Sequence, residues 1–200
     1  FDSLLKLAVD TPAEASDSLD AARKLARTPE EKNRLLMASA RVATANGDVR
    51  KAVADYLDVV EDGGDTLLQP DAGNPGLQIS VLLKAELALS ALRQSNGESV
   101  ARVIDDVVEE RVTDIMNRED APFRLLYRVM RACPDAPAGI LAGVGAAEKA
   151  TQSGRLAETE LILLHMRYAD NRQMQAAGLA ALVELYEQQG WLRQAYRTAD

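Results

Sequence analysis

The sequence predicts an all-α protein, an α-solenoid of about eleven helices arranged in antiparallel pairs. A short unit recurs around Gly47, Gly154 and Gly190: an apolar helix rich in small residues, the glycine, and a second amphipathic helix. Apolar residues such as Leu182 and Tyr186 repeat at helical spacing within these units. Aromatic residues are only 4% of the chain and alanine is abundant, a composition typical of closely packed helices.

Threonine–proline pairs mark the first helix starts. We expect a short apolar helix over residues 1–9 and a second helix capped by Thr11, with Pro12 in its first turn. Thr28 precedes a proline and two glutamates, so it predicts the cap of a third helix. Helices over 30–46 and 49–60, joined at Gly47, then form a hairpin that needs stacked neighbours to cover its apolar face.

Residues 61–76 interrupt the helical pattern. Their glycines and prolines predict a loop inserted between repeats. Their acidic residues do not follow the spacing of a calcium-binding loop, so we expect no metal site there. Helical periodicity returns over 76–94 and 99–116, with a turn at 95–97.

The last third predicts a dense series of helices. Gly139, Gly143 and Ala147 lie one turn apart, a spacing that lets another helix approach closely. We expect helices over 122–132, 138–152, 155–168 and 174–189, and one beginning at Trp191.

The whole chain, residues 1–200, is predicted to be one helical-repeat domain. It begins without methionine and ends within an expected helix, so we expect it to be a piece of a longer protein. No basic leader precedes a long apolar run, and the single Cys133 excludes an internal disulfide framework. These features leave the compartment, cytoplasmic or periplasmic, and the oligomeric state open.

Charge is concentrated in the middle of the chain. Residues 61–120 hold five Lys/Arg and thirteen Asp/Glu, which accounts for the net charge of −8. Nucleic acid is therefore not an expected partner, because phosphate binding requires a basic face. The longest uncharged apolar run, 136–147, is too short to span a bilayer, so we expect no membrane insertion.

Motifs of enzymatic chemistry are missing from the sequence. It has no phosphate-binding glycine loop, no dinucleotide-binding turn and no paired-histidine metal motif. The lone His165 has no second histidine to share a metal, and Cys133 beside a proline indicates a helix end. We therefore expect no enzyme activity, no cofactor and no metal.

The glycine turns resemble the tetratricopeptide repeat, in which an aliphatic residue follows the glycine two positions on and an alanine five positions on. Gly190 lies 36 residues after Gly154, close to the family period of about 34. Thr159 replaces the alanine in one copy, the middle third does not keep the period, and the usual proline is absent. The last third also resembles helical-repeat segments of large bacterial proteins that carry β-propellers. The matching positions are Gly47, Val49, Ala52 and Tyr56; Gly154 and Leu156; Gly190, Leu192 and Ala195; and, more faintly, Asn96, Glu98 and Ala101.

The resemblance implies a right-handed solenoid that binds a protein or peptide in a concave groove lined by the first helix of each pair. Arg34 and Arg41 share one face and are predicted to hold a carboxylate or an acidic peptide. The groove would be basic at one end and acidic at the other. The candidate contacts are Arg34, Met37, Arg41 and Thr44 in the first pair and Glu148, Thr151, Glu184 and Glu187 in the last two.

Two functions follow from this reading. The first is a non-enzymatic interaction scaffold or spacer within a larger protein. The alternative is a helical accessory domain of an enzyme, with a ligand-binding or regulatory role in the acidic region 61–120.

Overall fold

A computed structural model gives the architecture of the chain as all-α, which confirms the predicted class. The part of the chain that it describes holds eleven α-helices, one short 3₁₀ turn and two strands of two residues each. By contacts the chain divides into two compact units, Phe1–Val107 (unit 1) and Val108–Asp200 (unit 2). The described residues are 1–63, 67–68, 79–95 and 97–199.

Unit 1 contains five complete helices and the start of a sixth, close to where helical periodicity predicts them. Its two short strands pair antiparallel, Leu67 opposite Ser80. The elements are α1 (Asp2–Asp10), the 3₁₀ turn (Pro12–Glu14), α2 (Ala15–Leu25), α3 (Pro29–Ala45), α4 (Val49–Asp62), β1 (Leu67–Leu68), β2 (Ile79–Ser80), α5 (Val81–Ser95) and α6 (Gly97–Asn117), which continues into unit 2.

The predicted loop 61–76 begins later than expected. Glu61 and Asp62 complete the last turn of α4, because the apolar stripe of that helix continues through Val60. Leu67 and Leu68, within the predicted loop, form the short strand β1. The other residues of the predicted loop lie outside the described part of the chain, apart from Gly63, which caps α4.

The core of unit 1 forms where α3 packs between the α1–α2 pair and α4. The α4 face predicted from spacing is buried, with Ala52, Val53 and Val60 fully inaccessible. Burying such side chains supplies most of the driving force for helix packing. On the other side of α3 the apolar cluster comprises Leu5, Ala8, Ala15, Leu19, Ala22, Leu35, Ala38 and Val42.

The two threonine caps have different outcomes. Thr28 forms the predicted capping box: its hydroxyl accepts from the Glu31 backbone N–H at 3.1 Å, and the Glu31 carboxylate accepts from the Thr28 N–H at 2.9 Å. The backbone N–H of Thr28 and that of Arg27, which donates to the same carboxylate at 2.7 Å, hold the pKa of Glu31 below its usual range. Thr11 does not cap α2. Its hydroxyl donates to the Leu7 carbonyl at 2.8 Å and so closes the end of α1.

Unit 2 continues after α6 with five helices, each of which packs against the next: α7 (Phe123–Ala132), α8 (Pro137–Gln152), α9 (Leu156–Arg167), α10 (Arg172–Gln188) and α11 (Leu192–Ala199). The predicted close approach occurs at Gly143 of α8, where a Cβ would lie 2.6 Å from the Met166 sulfur. Gly178 of α10 lies similarly close to α9, since a Cβ there would be 2.7 Å from the backbone nitrogen of Arg167.

Three hairpin turns have the same backbone geometry. Gly47, Gly154 and Gly190 take positive φ values of 76°, 72° and 71°, which L-residues rarely adopt. In each turn the next residue donates its N–H to a carbonyl in the last turn of the preceding helix, the Schellman pattern. The three bonds are Asp48 to Ala43 at 2.8 Å, Arg155 to Ala150 at 2.9 Å and Trp191 to Tyr186 at 2.8 Å.

The middle of the chain has a fourth glycine of this kind. Gly97 takes a φ of 76° at the start of α6. Asn96, on which the faint fourth repeat copy is aligned, lies outside the described residues. None of the described helices is both long enough and apolar enough to cross a membrane.

Candidate functional site

Unit 1 has a cationic cleft between α1 and α3, reached also by α5, with a volume of about 310 Å³. Its floor is apolar, and four basic side chains face two acidic ones around it. The cationic cleft is lined by Asp2, Leu5, Lys6, Val9, Asp10, Arg34, Met37, Ala38, Arg41 and Lys84.

Arg34 already holds a carboxylate of its own chain. Its Nη2 lies 2.7 Å from Oδ1 of Asp2, and its guanidinium lies 5.8 Å from the centre of the Phe1 ring. The Asp2 side chain is 70% exposed and that of Arg34 is 35% exposed. An ion pair this open to water contributes little to stability, so its carboxylate exchanges readily for another.

The structure brings three of the four predicted residues of the first pair together. Arg34 and Arg41 both line the cationic cleft, as their seven-residue spacing on α3 predicts. Met37 lies between them and also lines the cleft, although it is only 6% exposed because α1 packs across this face of α3. Thr44 does not line the cleft, and its hydroxyl donates to the Ala40 carbonyl at 2.8 Å.

Unit 2 has an acidic cleft between α8 and α10, with a volume of about 230 Å³. Glu148 and Glu184 both line it, and Gln188 donates to the Glu184 carboxylate at 3.1 Å. Glu187 is exposed on α10 and is not among the lining residues, so the structure does not bring it to the other two glutamates. The acidic cleft is lined by Val144, Ala147, Glu148, Thr151, Gln152, Thr159, Leu163, Ala181, Glu184, Leu185 and Gln188.

The wall of the acidic cleft contains Thr159, which is one of the departures from the repeat pattern. Thr159 stands where alanine is expected and is 2% exposed. Its hydroxyl lies 3.1 Å from the Arg155 carbonyl and 3.1 Å from the Thr151 hydroxyl. A buried hydroxyl is tolerated when it is bonded, so threonine fits this position without disturbing the helix pair.

The side chains that could act in acid–base or nucleophilic catalysis are each hydrogen-bonded or buried within the fold. His165 Nδ1 is 2.9 Å from the Tyr127 hydroxyl and the two rings meet edge to face, while burial and the nearby Arg131 lower the pKa of His165. Cys133 is buried at the end of α7. Burial and a 2.5 Å hydrogen bond to Glu160 raise the pKa of Tyr186 to about 12. Within the described residues no three metal-ligating side chains lie together.

Four further charged residues of the cationic cleft are not predicted from the sequence. Asp2, Lys6 and Asp10 lie four residues apart and therefore share one face of α1, a signal present in the sequence. Lys84 comes from α5, and its arrival depends on long-range packing that no local pattern predicts. The acidic region 61–120, the alternative ligand site, falls partly outside the described residues.

Comparison with known proteins gives no relative. No family model, no curated protein and no solved structure matches the chain.

Proposed function

We propose that this chain is a non-enzymatic, tetratricopeptide-like interaction scaffold whose cationic cleft binds an acidic segment of a protein partner. The carrying observation is that Arg34 and Arg41 share one cleft with Lys6 and Lys84. Cations outnumber carboxylates there, in a chain whose net charge is −8. A partner with a complementary acidic segment is steered to such a cleft and held by charge-assisted hydrogen bonds.

The proposed architecture is a right-handed solenoid of antiparallel helix pairs. Its support is the repetition of one turn at Gly47, Gly154 and Gly190 with the same hydrogen-bond pattern. The residue five positions after each glycine is buried: Ala52, Thr159 and Ala195 are 0%, 2% and 5% exposed. Equivalent turns and equivalent buried positions are what stacked repeats require.

The Asp2–Arg34 pair suggests how the acidic segment binds. Asp2 places a carboxylate at 2.7 Å from the guanidinium, in the position that a partner's aspartate or glutamate would take. Leu5, Val9 and Met37 form an apolar floor beside it. The preferred segment therefore alternates acidic residues with one or two apolar ones.

The test is binding of a fluorescently labelled peptide of alternating glutamate and leucine, followed by fluorescence anisotropy. In the Arg34→Glu/Arg41→Glu variant we expect affinity to fall by about tenfold or more, because two charge-assisted contacts become repulsive. The matched control is Lys24→Glu/Arg27→Glu, which changes the net charge equally at exposed positions outside the cationic cleft. Circular dichroism establishes that both variants keep their helices.

Equal loss in both variants would show attraction by net charge alone. No binding of the peptide to the unaltered protein would reject the cleft as an acidic-segment site. A scrambled peptide of the same composition tests whether the alternation matters.

A further inference from the structure

A second cavity lies in unit 1, where the end of α2, the start of α3 and the end of α4 meet. Its volume is about 550 Å³, within the range of roughly 300–1,000 Å³ typical of small-molecule sites. It shares no lining residue with the cationic cleft. This Asn33 cavity is lined by Arg23, Ala26, Pro29, Lys32, Asn33, Leu35, Leu36 and Asp62.

One polar side chain in the wall of this cavity is buried without a partner. Asn33 is 2% exposed, and its Nδ2 has no hydrogen-bond partner in the described part of the chain. The contrast lies two turns further along the same helix: Ser39 is also buried, but it donates to Asp55 at 2.6 Å and accepts from Lys51 at 3.1 Å. Buried polar groups in native proteins are almost always bonded, so the Asn33 amide calls for an acceptor.

The other lining residues indicate which kind of molecule could supply an acceptor to Asn33. Ala26, Pro29, Leu35 and Leu36 supply apolar surface. Arg23 and Lys32 supply two positive charges against the single negative charge of Asp62. Arg23 also pairs with Asp20 at 2.7 Å, but its side chain is 63% exposed and this bond is weak.

We propose that the Asn33 cavity binds a small amphipathic carboxylate, with its apolar body against the leucine and proline wall. Its carboxylate accepts a hydrogen bond from Asn33 Nδ2 and lies in the positive field of Lys32 and Arg23. A carboxylate satisfies the unpartnered donor, whereas an ammonium has no acceptor to offer and a neutral alcohol gains nothing from the cations.

The experiment uses octanoate, 1-octanol and octylamine, three probes with one aliphatic body and different head groups. Binding is followed by the melting temperature and by ¹H–¹⁵N amide shifts of the full chain. We expect octanoate to raise the melting temperature and to shift amides in residues 23–36 and 62. We expect octylamine to do neither. Equal effects of octanoate and octylamine would overturn the proposal, and so would no effect of octanoate.

Two variants test the residues. Asn33→Leu keeps the size and removes the unpartnered donor, so we expect the free protein to melt higher and the octanoate effect to be lost. A lower melting temperature would mean that the amide is bonded within the chain, which would overturn the proposal.

The second variant, Lys32→Glu, changes an exposed position and leaves the core intact, so it remains informative even if the first variant fails to fold. It should weaken the binding of octanoate by about tenfold. Lys24→Glu, outside the cavity, should leave octanoate binding unchanged. Equally weakened binding in both variants would contradict the site.

Discussion

The cationic cleft of unit 1 and the acidic cleft of unit 2 both use the first helix of a glycine-turned hairpin, α3 in one and α8 in the other. Their charges are opposite. In the cationic cleft α1 lies across α3 and places the Asp2 carboxylate on Arg34, whereas in the acidic cleft α10 lies beside α8 and contributes a second glutamate. The hairpin thus fixes the positions of these side chains but does not determine whether they are basic or acidic, because each position is at least partly exposed.

The largest expected effect tests whether the two hairpins are built alike. Ala52 in unit 1 and Thr159 in unit 2 hold the same position after the turn glycine, and Ala52 is fully buried. Ala52→Asp should lower the free energy of unfolding by about 3–5 kcal/mol, since it buries an unpaired charge. Urea denaturation followed by circular dichroism measures this loss.

The control for that variant is Ala180→Asp, at an exposed position within α10, where the charge remains in water. We expect it to change stability little. If Ala52→Asp unfolds at the same urea concentration as the unaltered protein, the packing of α4 on α3 and the equivalence of the two hairpins are both wrong.

The next effect would convert one cleft into the other. In the Arg34→Glu/Arg41→Glu background, adding Glu148→Lys/Glu184→Lys should restore binding of the acidic peptide by about tenfold, because the unit 2 cleft becomes cationic. Anisotropy with the same labelled peptide measures it. Asp170→Lys/Glu187→Lys makes the same charge change outside the acidic cleft; if it restores binding equally, the clefts do not determine where the peptide binds.

The smallest effect concerns the carboxylate that distinguishes the cationic cleft. Asp2→Asn removes the internal competitor for Arg34, so the acidic peptide should bind roughly threefold more tightly. The gain should shrink as salt rises, because exposed charges are screened beyond about 8 Å at physiological ionic strength. Asp17→Asn on α2 is the control. A weaker peptide complex in Asp2→Asn would mean that Asp2 helps to form the site.

Local chemistry accounts for what the sequence predicts well. The capping box at Thr28 and the turn at Gly154 depend on residues within one turn of each other, so their pattern survives any tertiary arrangement. Thr11 shows the limit of the same logic. Its hydroxyl donates to the Leu7 carbonyl at the end of α1 and does not cap the helical turn that follows.

Long-range packing accounts for what the sequence does not predict. The burial of Met37 follows from α1 crossing α3, and Lys84 reaches the cationic cleft from a helix more than forty residues along the chain. The sequence does not predict that Asn33 is buried either, because an asparagine within a helix is usually exposed. The sequence therefore predicts only part of each cleft. It predicts Arg34, Met37 and Arg41 in the cationic cleft and Glu148, Thr151 and Glu184 in the acidic cleft, but not the other lining residues.

The repeated glycine turn has a consequence for how such a chain can grow. A Cβ placed on Gly47, Gly154 or Gly190 would meet nothing within 4 Å, so these residues are required by backbone geometry alone and not by any neighbour. If a hairpin is added or lost at one of these turns, the glycine itself therefore needs no matching neighbour, and the fit is decided by the helix faces that pack together.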